Sequence, residues 1–157
     1  MELMLALLPN ALCAAGTAAM LAVVFTAPPR YVLPSFACGL AALLARDLLA
    51  ASGMNVHWAT AVASAGAVIA AAAVTPEHAV VPVVLIAAVL PLGAAVAVFT
   101  AMIELLRVSS VEGAALVDAS VKLSASLGKA FTTFVAIALG LQIGVAAVRA
   151  ARHEQDG

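Results

Sequence analysis

Long apolar runs separated by short polar breaks set the pattern of this chain. Five runs stand out, over residues 2–27, 31–51, 59–74, 80–106 and 130–147, and a polar helix over 110–129 precedes the last of them. A helix that crosses a bilayer needs about 20 predominantly apolar residues, which is the scale of these runs. The pattern predicts an all-α polytopic transmembrane helix bundle, a single integral membrane domain over residues 1–157 with about five spans. Four spans result if one of the first two runs does not cross.

The fourth run is interrupted by Pro82 near its start and by Pro91-Leu92-Gly93 near its middle. Proline lacks the N–H of the helix ladder and its ring clashes with the preceding turn. Backbone groups freed inside hydrocarbon are tolerated where protein or a water-filled cavity satisfies them. Transporters hold substrate at such broken helices near the bilayer midplane. On that reading Pro91 and Gly93 mark a site, and the carbonyls near residues 87–89 are the freed ones. The competing reading is a plain proline kink, since Pro and Gly are common in transmembrane helices. Glu104 and Arg107 follow where the span should end.

Along the rest of the chain, the first run has Asn10 and Thr17 as its polar residues between Glu2 and Thr26, and no Lys or Arg precedes Arg30. It therefore reads as a retained helix rather than a secretory signal, which opens on positive charge. Pro28-Pro29-Arg30 stops it. The second run begins at Tyr31 and carries the pair Arg46-Asp47. Helical neighbours point about 100° apart, so these two are not expected to face each other. Each costs about 2.5–3.5 kcal/mol at the membrane centre, against roughly 0.3–0.6 returned by each large apolar residue. At 1.5 Å per residue Arg46 lies roughly 22 Å from Tyr31, toward the far side of a core about 30 Å thick. Arg46 then either snorkels to the interface or lines a polar cavity.

Gly53 and Asn55 mark a connector, with His57 as a loop residue and Trp58 as an interface anchor. In the third run Ala59, Ala63, Ala67 and Ala71 recur every four residues. Such a small-residue stripe lets another helix approach closely, and Thr60 and Ser64 offer interhelical hydrogen bonds. A short turn is expected at Thr75-Pro76-Glu77-His78.

Ser109-Ser110-Val111-Glu112 fits a capping box, which predicts a helix start. Asp118 and Lys122 can pair on one helical face. With Ser120, Ser124, Ser126 and Lys129 they make a polar face opposite Val117, Val121 and Leu123. This stretch is either a helix lying on the membrane surface or the first part of a helix that runs on into the last span. In that span Gly140 and Gly144 stand at close-packing spacing, with Ala136 one turn earlier. Gln142 is expected to bond to a neighbouring helix. The small-residue faces of the third and fifth spans, uncovered in so small a bundle, predict association with another chain. Arg149 and Arg152 favour a cytoplasmic C-terminal end, which also places Arg30 inside.

Composition adds exclusions. Hydrophobic residues make up 66 % of the chain and charged residues 10 %, against roughly 25 % charged in a soluble domain. No basic, aromatic-interleaved patch is present, so no nucleic-acid partner is expected. Cys13 and Cys38 lie in apolar runs at no metal-ligand spacing, and read as small packing residues. There is no Ser–His–Asp set, phosphate-cradling glycine loop or two-His helix motif. No enzyme activity, metal or cofactor is expected.

The order of features resembles a known family. Arg46-Asp47-Leu48-Leu49-Ala50-Ala51-Ser52-Gly53-Met54-Asn55, then Trp58, then Val89-Leu90-Pro91-Leu92, then Phe99-Thr100-Ala101-Met102 looks like the small subunit of the split threonine/serine exporter family, which includes small subunits of two-component succinate exporters. The resemblance covers nearly the whole chain. It implies a bacterial inner-membrane, multi-pass subunit that works with a larger membrane subunit of the same family. It also implies export of a small polar metabolite driven by an ion gradient. Where the family has Pro, two residues, Pro-Gly, then a small polar residue and a tyrosine, this chain has Ala94, Ala95, Ala97 and Phe99 at the later positions.

Two functions follow as expectations. A transporter subunit needs Arg46, Asp47, Thr100, Glu104 and Asp118 to converge on one cavity with the break at Pro91 and Gly93, and uses Gly140, Gly144, Ala63 and Ala67 for helix packing. A non-transporting scaffold that stabilises a partner subunit would scatter the polar groups among interfaces.

Overall fold

The computed structural model describes residues 2–75 and 81–153. The turn expected at Pro76-Glu77-His78, the start of the fourth run at Val80 and the charged tail beyond His153 lie outside these residues. Among the described residues every regular element is helical: α1 (Glu2–Val24), α2 (Val32–Ala51), α3 (Val56–Val74), α4 (Val81–Val89), α5 (Ala94–Val108) and α6 (Ala114–His153), with single 3₁₀ turns at Pro29–Tyr31 and Leu90–Leu92. Three helical stretches among these residues are long and apolar enough to cross a membrane: Pro29–Ala51, Val56–Val74 and Ala115–Ala151. A fourth results if α4 and α5 count as one broken span. A count of five needs α1 as well, which over Leu8–Val24 is a shorter apolar helix.

Local chemistry fixes the helix ends. Thr26 sits at φ +58° after α1. Ala27 N–H donates to the Ala22 carbonyl at 2.9 Å and Thr26 N–H to that of Val23 at 3.0 Å. This is the Schellman pattern of a left-handed C-terminal cap, and it ends α1 before the apolar run does. Gly53, at φ +94°, closes α2 in the same way through bonds from Gly53 N–H to Ala50 and from Met54 N–H to Leu49. Asn55 then accepts the N–H of His57 at 2.9 Å as the N-cap of α3. Because that cap lies upstream of the apolar run, His57 belongs to the first turn of α3 and is not a loop residue.

The capping box expected at Ser109 does not form. Ser109 N–H donates to the Leu105 carbonyl, and the Ser109 and Ser110 hydroxyls donate to the carbonyls of Leu106 and Arg107. These groups close α5, so none is left to open a helix, and the chain turns at Gly113 (φ +65°) before α6 begins. The polar stretch and the last apolar run are one helix of 40 residues, about 60 Å long. That is twice the roughly 30 Å of a hydrocarbon core.

The chain divides into two compact units. One holds α1 to α4, the Leu90–Leu92 turn and α6 from Ala136 onward; the other runs from Gly93 to Val135. In the first unit α2 is central and packs on α1, α3 and α4. Its core is built from small residues. Ala11, Ala15, Ala18 and Ala22 form the buried side of α1, and a Cβ added at Gly39 of α2 would stand 2.6 Å from the Ala18 Cβ. Tyr31, Cys38, Ala71, Val84 and Ala88 make a cluster where α2, α3 and α4 meet.

The alanines of α3 at 59, 63, 67 and 71 are all buried. Gly140 and Gly144 of α6 lie on the neighbouring stripe of the same helix. The contacts are Gly140 with the Ala61 carbonyl and Ser64 Cβ, and Gly144 with Val68 and the Ala65 carbonyl. The glycine pair and α3 therefore cover each other, and the expectation that these faces await another chain is corrected. Among the described residues Thr60 and Ser64 make no interhelical bonds either, since their hydroxyls donate to the carbonyls of Val56 and Thr60, each four residues back. Satisfied locally, they behave as small packing residues.

Candidate functional site

The site begins with the broken helix. After α4 the chain passes through the Leu90–Leu92 turn, and Gly93 takes φ +108°, a left-handed value that a residue with a Cβ rarely adopts. Ala97 N–H bonds back to the Gly93 carbonyl at 3.0 Å, so the ladder of α5 starts beyond Leu92. The Leu92 carbonyl is left outside that ladder while its side chain is buried. An orphan carbonyl in such a place needs a donor.

Arg46 supplies it. From the last two turns of α2, its Nη1 donates to the Leu92 carbonyl at 2.8 Å. Nε and Nη2 donate to Asp47 Oδ1 at 2.8 and 2.6 Å. The two side chains are 21 % and 15 % exposed, so the pair is largely withdrawn from solvent without being sealed. The expectation that adjacent residues on a helix do not face each other is corrected here. The long arginine arm folds round the helix and brings its guanidinium back over the carboxylate next to it. The carbonyl that meets Arg46 is that of Leu92, beyond Pro91, and not one of those near residues 87–89.

Two N–H groups of the guanidinium and Asp47 Oδ2 are left without a protein partner among the described residues. A guanidinium carries five donors in a planar fork, so this corner offers donors and an acceptor within one patch, with opposite charges side by side.

The other expected site residues lie in the second unit. Thr100 is exposed and its hydroxyl donates to the Val96 carbonyl of its own helix at 2.9 Å. Asp118 accepts a 2.7 Å bond from Lys122, both exposed. Glu104 is half-buried, and its Oε2 is buried with no hydrogen-bond partner. In the first unit the hydroxyl of Thr75, fully buried at the end of α3, likewise has no partner among the described residues. Gln142, expected to bond to a neighbouring helix, is exposed and makes no such bond among the described residues. It stands two residues from each of Gly140 and Gly144, roughly 200° round the helix from both at 3.6 residues per turn, and so points away from α3. Among the described residues no group of His, Cys, Asp and Glu could hold a metal ion.

Sequence reasoning grouped Arg46 and Asp47 with the break at Pro91 and Gly93 but identified no bond that joins them. It missed Leu92, whose role rests on a backbone atom. It also missed the Ala18–Gly39 contact, for which the recurring alanines of α1 were the available signal. Comparison with family models, with curated proteins and with solved structures finds no match to this chain.

Proposed function

We propose that this chain is one subunit of a secondary transporter that exports a small polar metabolite, threonine or serine or a dicarboxylate such as succinate, together with a larger membrane subunit. In this reading it is a multi-pass protein of a bacterial inner membrane with five spans, α1 and the broken pair α4–α5 included. The observation that carries the reading is the junction of Arg46, Asp47 and the Leu92 carbonyl. Ionisable residues within apolar helices are costly and mark substrate or ion pathways, and broken helices are where transporters hold their cargo. The resemblance of the run from Arg46 to Asn55 and of Val89-Leu90-Pro91-Leu92 to the split threonine/serine exporters supplies the substrate class and the partner.

The alternative, a scaffold that only stabilises a partner subunit, draws on Thr100 and Asp118, whose side chains are bonded within their own helices. Efflux from cells loaded with threonine, serine or succinate separates the two. The transporter reading expects efflux that needs both subunits and is lost in Arg46→Leu when parent and variant are compared at matched membrane levels. Efflux that persists at full rate in Arg46→Leu, or that the larger subunit performs alone once folded, supports the scaffold.

A further inference from the structure

We propose that Asp47 is a positioning residue, which fixes the plane of the Arg46 guanidinium so that the N–H groups left over meet the carboxylate of the cargo. The inference rests on the transport reading for the cargo, and on the geometry of this corner alone for the role of Asp47.

Arg46, Asp47 and Leu92 all belong to the first compact unit. Nothing in the helix itself aims Arg46 at the break. Its side chain is long and rich in rotamers, and near the end of an apolar helix such an arm also has the option of running out to the interface. The bond from Nη1 to the Leu92 carbonyl stops that, but it is a single point of attachment. A planar group held at one point still turns about it. Asp47 supplies the second hold. Its Oδ1 accepts from both Nε and Nη2, at 2.8 and 2.6 Å. Three bonds to two partners fix both the direction and the plane of the fork.

One N–H on Nη1 and one on Nη2 remain, since a guanidinium carries five donors and three are used. The corner is reached from outside, with Arg46 21 % exposed. A guanidinium recognises a carboxylate through directed N–H bonds in its own plane, so its grip is best when that plane is set before the ligand arrives. Threonine, serine and succinate all carry a carboxylate. Positioning asks of Asp47 only an acceptor oxygen at the place of Oδ1, and a side-chain amide has one. Carrying a proton or an ion asks for the carboxylate itself. Asn and Leu at this position therefore separate the two roles.

The first measurement needs no cargo. In the full chain, labelled with ¹⁵N-arginine and placed in bilayers, the Arg46 Nε–H signal is identified by its loss in Arg46→Lys. It should exchange slowly with water in the parent and in Asp47→Asn. In Asp47→Leu it should exchange roughly tenfold faster or more, the scale of one lost hydrogen bond to a charged group. The second measurement uses vesicles holding this chain and the larger subunit, with export of threonine, serine and succinate followed against cargo concentration. Asp47→Leu should raise the half-saturating concentration by roughly tenfold and leave the maximal rate in place, while Asp47→Asn stays close to the parent. Exchange as slow in Asp47→Leu as in the parent would overturn the proposal. So would export as damaged in Asp47→Asn as in Asp47→Leu, or a loss in Asp47→Leu that falls on the maximal rate alone. A parent that exports none of the three removes the transport reading, and the exchange measurement then still decides whether Asp47 positions Arg46.

Discussion

Arg46 and Leu92 are joined by a 2.8 Å hydrogen bond from a guanidinium nitrogen to a backbone carbonyl. A side chain of α2 thus supplies the donor that the interrupted helix cannot provide for itself. The same guanidinium holds Asp47. One arginine therefore satisfies both a freed backbone group and a carboxylate, and neither partner is independent of it.

That sharing makes the single and double substitutions unequal. Arg46→Leu strands both Asp47 and the Leu92 carbonyl. It should destabilise the protein by roughly 2–3 kcal/mol, between the about 1 kcal/mol of an exposed pair and the 3–5 of a sealed one. Asp47→Leu leaves Arg46 still bonded to Leu92 and should cost less. In the double Arg46→Leu, Asp47→Leu protein no charge is stranded, so its loss should be smaller than that of Arg46→Leu alone. Thermal unfolding of the detergent-solubilised variants reads this order. A loss in the double variant equal to the sum of the two single losses would show that the pair is not coupled.

The break itself gives a second prediction. Gly93 has φ +108°, so Gly93→Ala alone should cost about 1–3 kcal/mol in backbone strain. The double Pro91→Ala, Gly93→Ala chain has another option. With proline worth about 3 kcal/mol and glycine about 1 relative to alanine in a helix, α4 and α5 can fuse. The Leu92 carbonyl then returns to the ladder and Arg46 loses it. The double variant should be more heat-resistant than Gly93→Ala and export less than the parent. Full export from the double variant would make the break a packing feature.

How far the sequence carried can be seen at these residues. Apolar run length was enough to find α2, α3 and the apolar part of α6, because burial in hydrocarbon demands a long uninterrupted stretch. The run gave the helix ends less well. Thr26, Asn55 and Ser109 set them through hydrogen bonds worth about a kcal/mol each, which hydropathy does not register. Arg46 and Asp47 were visible as costly charges, but their partner is a carbonyl, and every residue has one. Gly140 and Gly144 were legible as a packing seam, while its occupant, α3, was not, because several alanine-rich helices could have filled the role.

The seam is open to a direct comparison. A Cβ at Gly140 would run into the Ala61 carbonyl and one at Gly144 would stand 2.8 Å from that of Ala65. Backbone atoms cannot step aside as a side chain can. Gly140→Ala and Gly144→Ala should each destabilise by about 1–3 kcal/mol, the usual cost of overpacking. A Cβ at Gly128, on the same helix, would meet nothing within 4 Å, so Gly128→Ala should stabilise by up to about 1 kcal/mol. Opposite signs in the two sets of melting temperatures are expected. A uniform gain would mean that α6 does not rest on α3 at these glycines.

Two buried oxygens without partners among the described residues, Thr75 Oγ1 and Glu104 Oε2, separate stability from function. Leaving a buried polar group unpaired costs about 1–3 kcal/mol, so removing it should raise stability by a similar amount if the cavity is refilled. Thr75→Val keeps the shape and loses the hydroxyl. Glu104→Met keeps much of the length and loses the carboxyl. Both should unfold at higher temperature than the parent. Their effects on export should diverge. Thr75 is sealed at the end of α3 with no exposed surface and should be silent. Glu104 is half-buried, with one carboxyl oxygen held free of any bond, as a group reserved for cargo or a proton would be. Glu104→Met should therefore abolish efflux in a protein that is sturdier than its parent. Gln at the same position distinguishes the need for charge from the need for shape. If Glu104→Met gains stability and still exports at the parent rate, Glu104 is no part of the pathway, and the site contracts to Arg46, Asp47 and the break at Leu92.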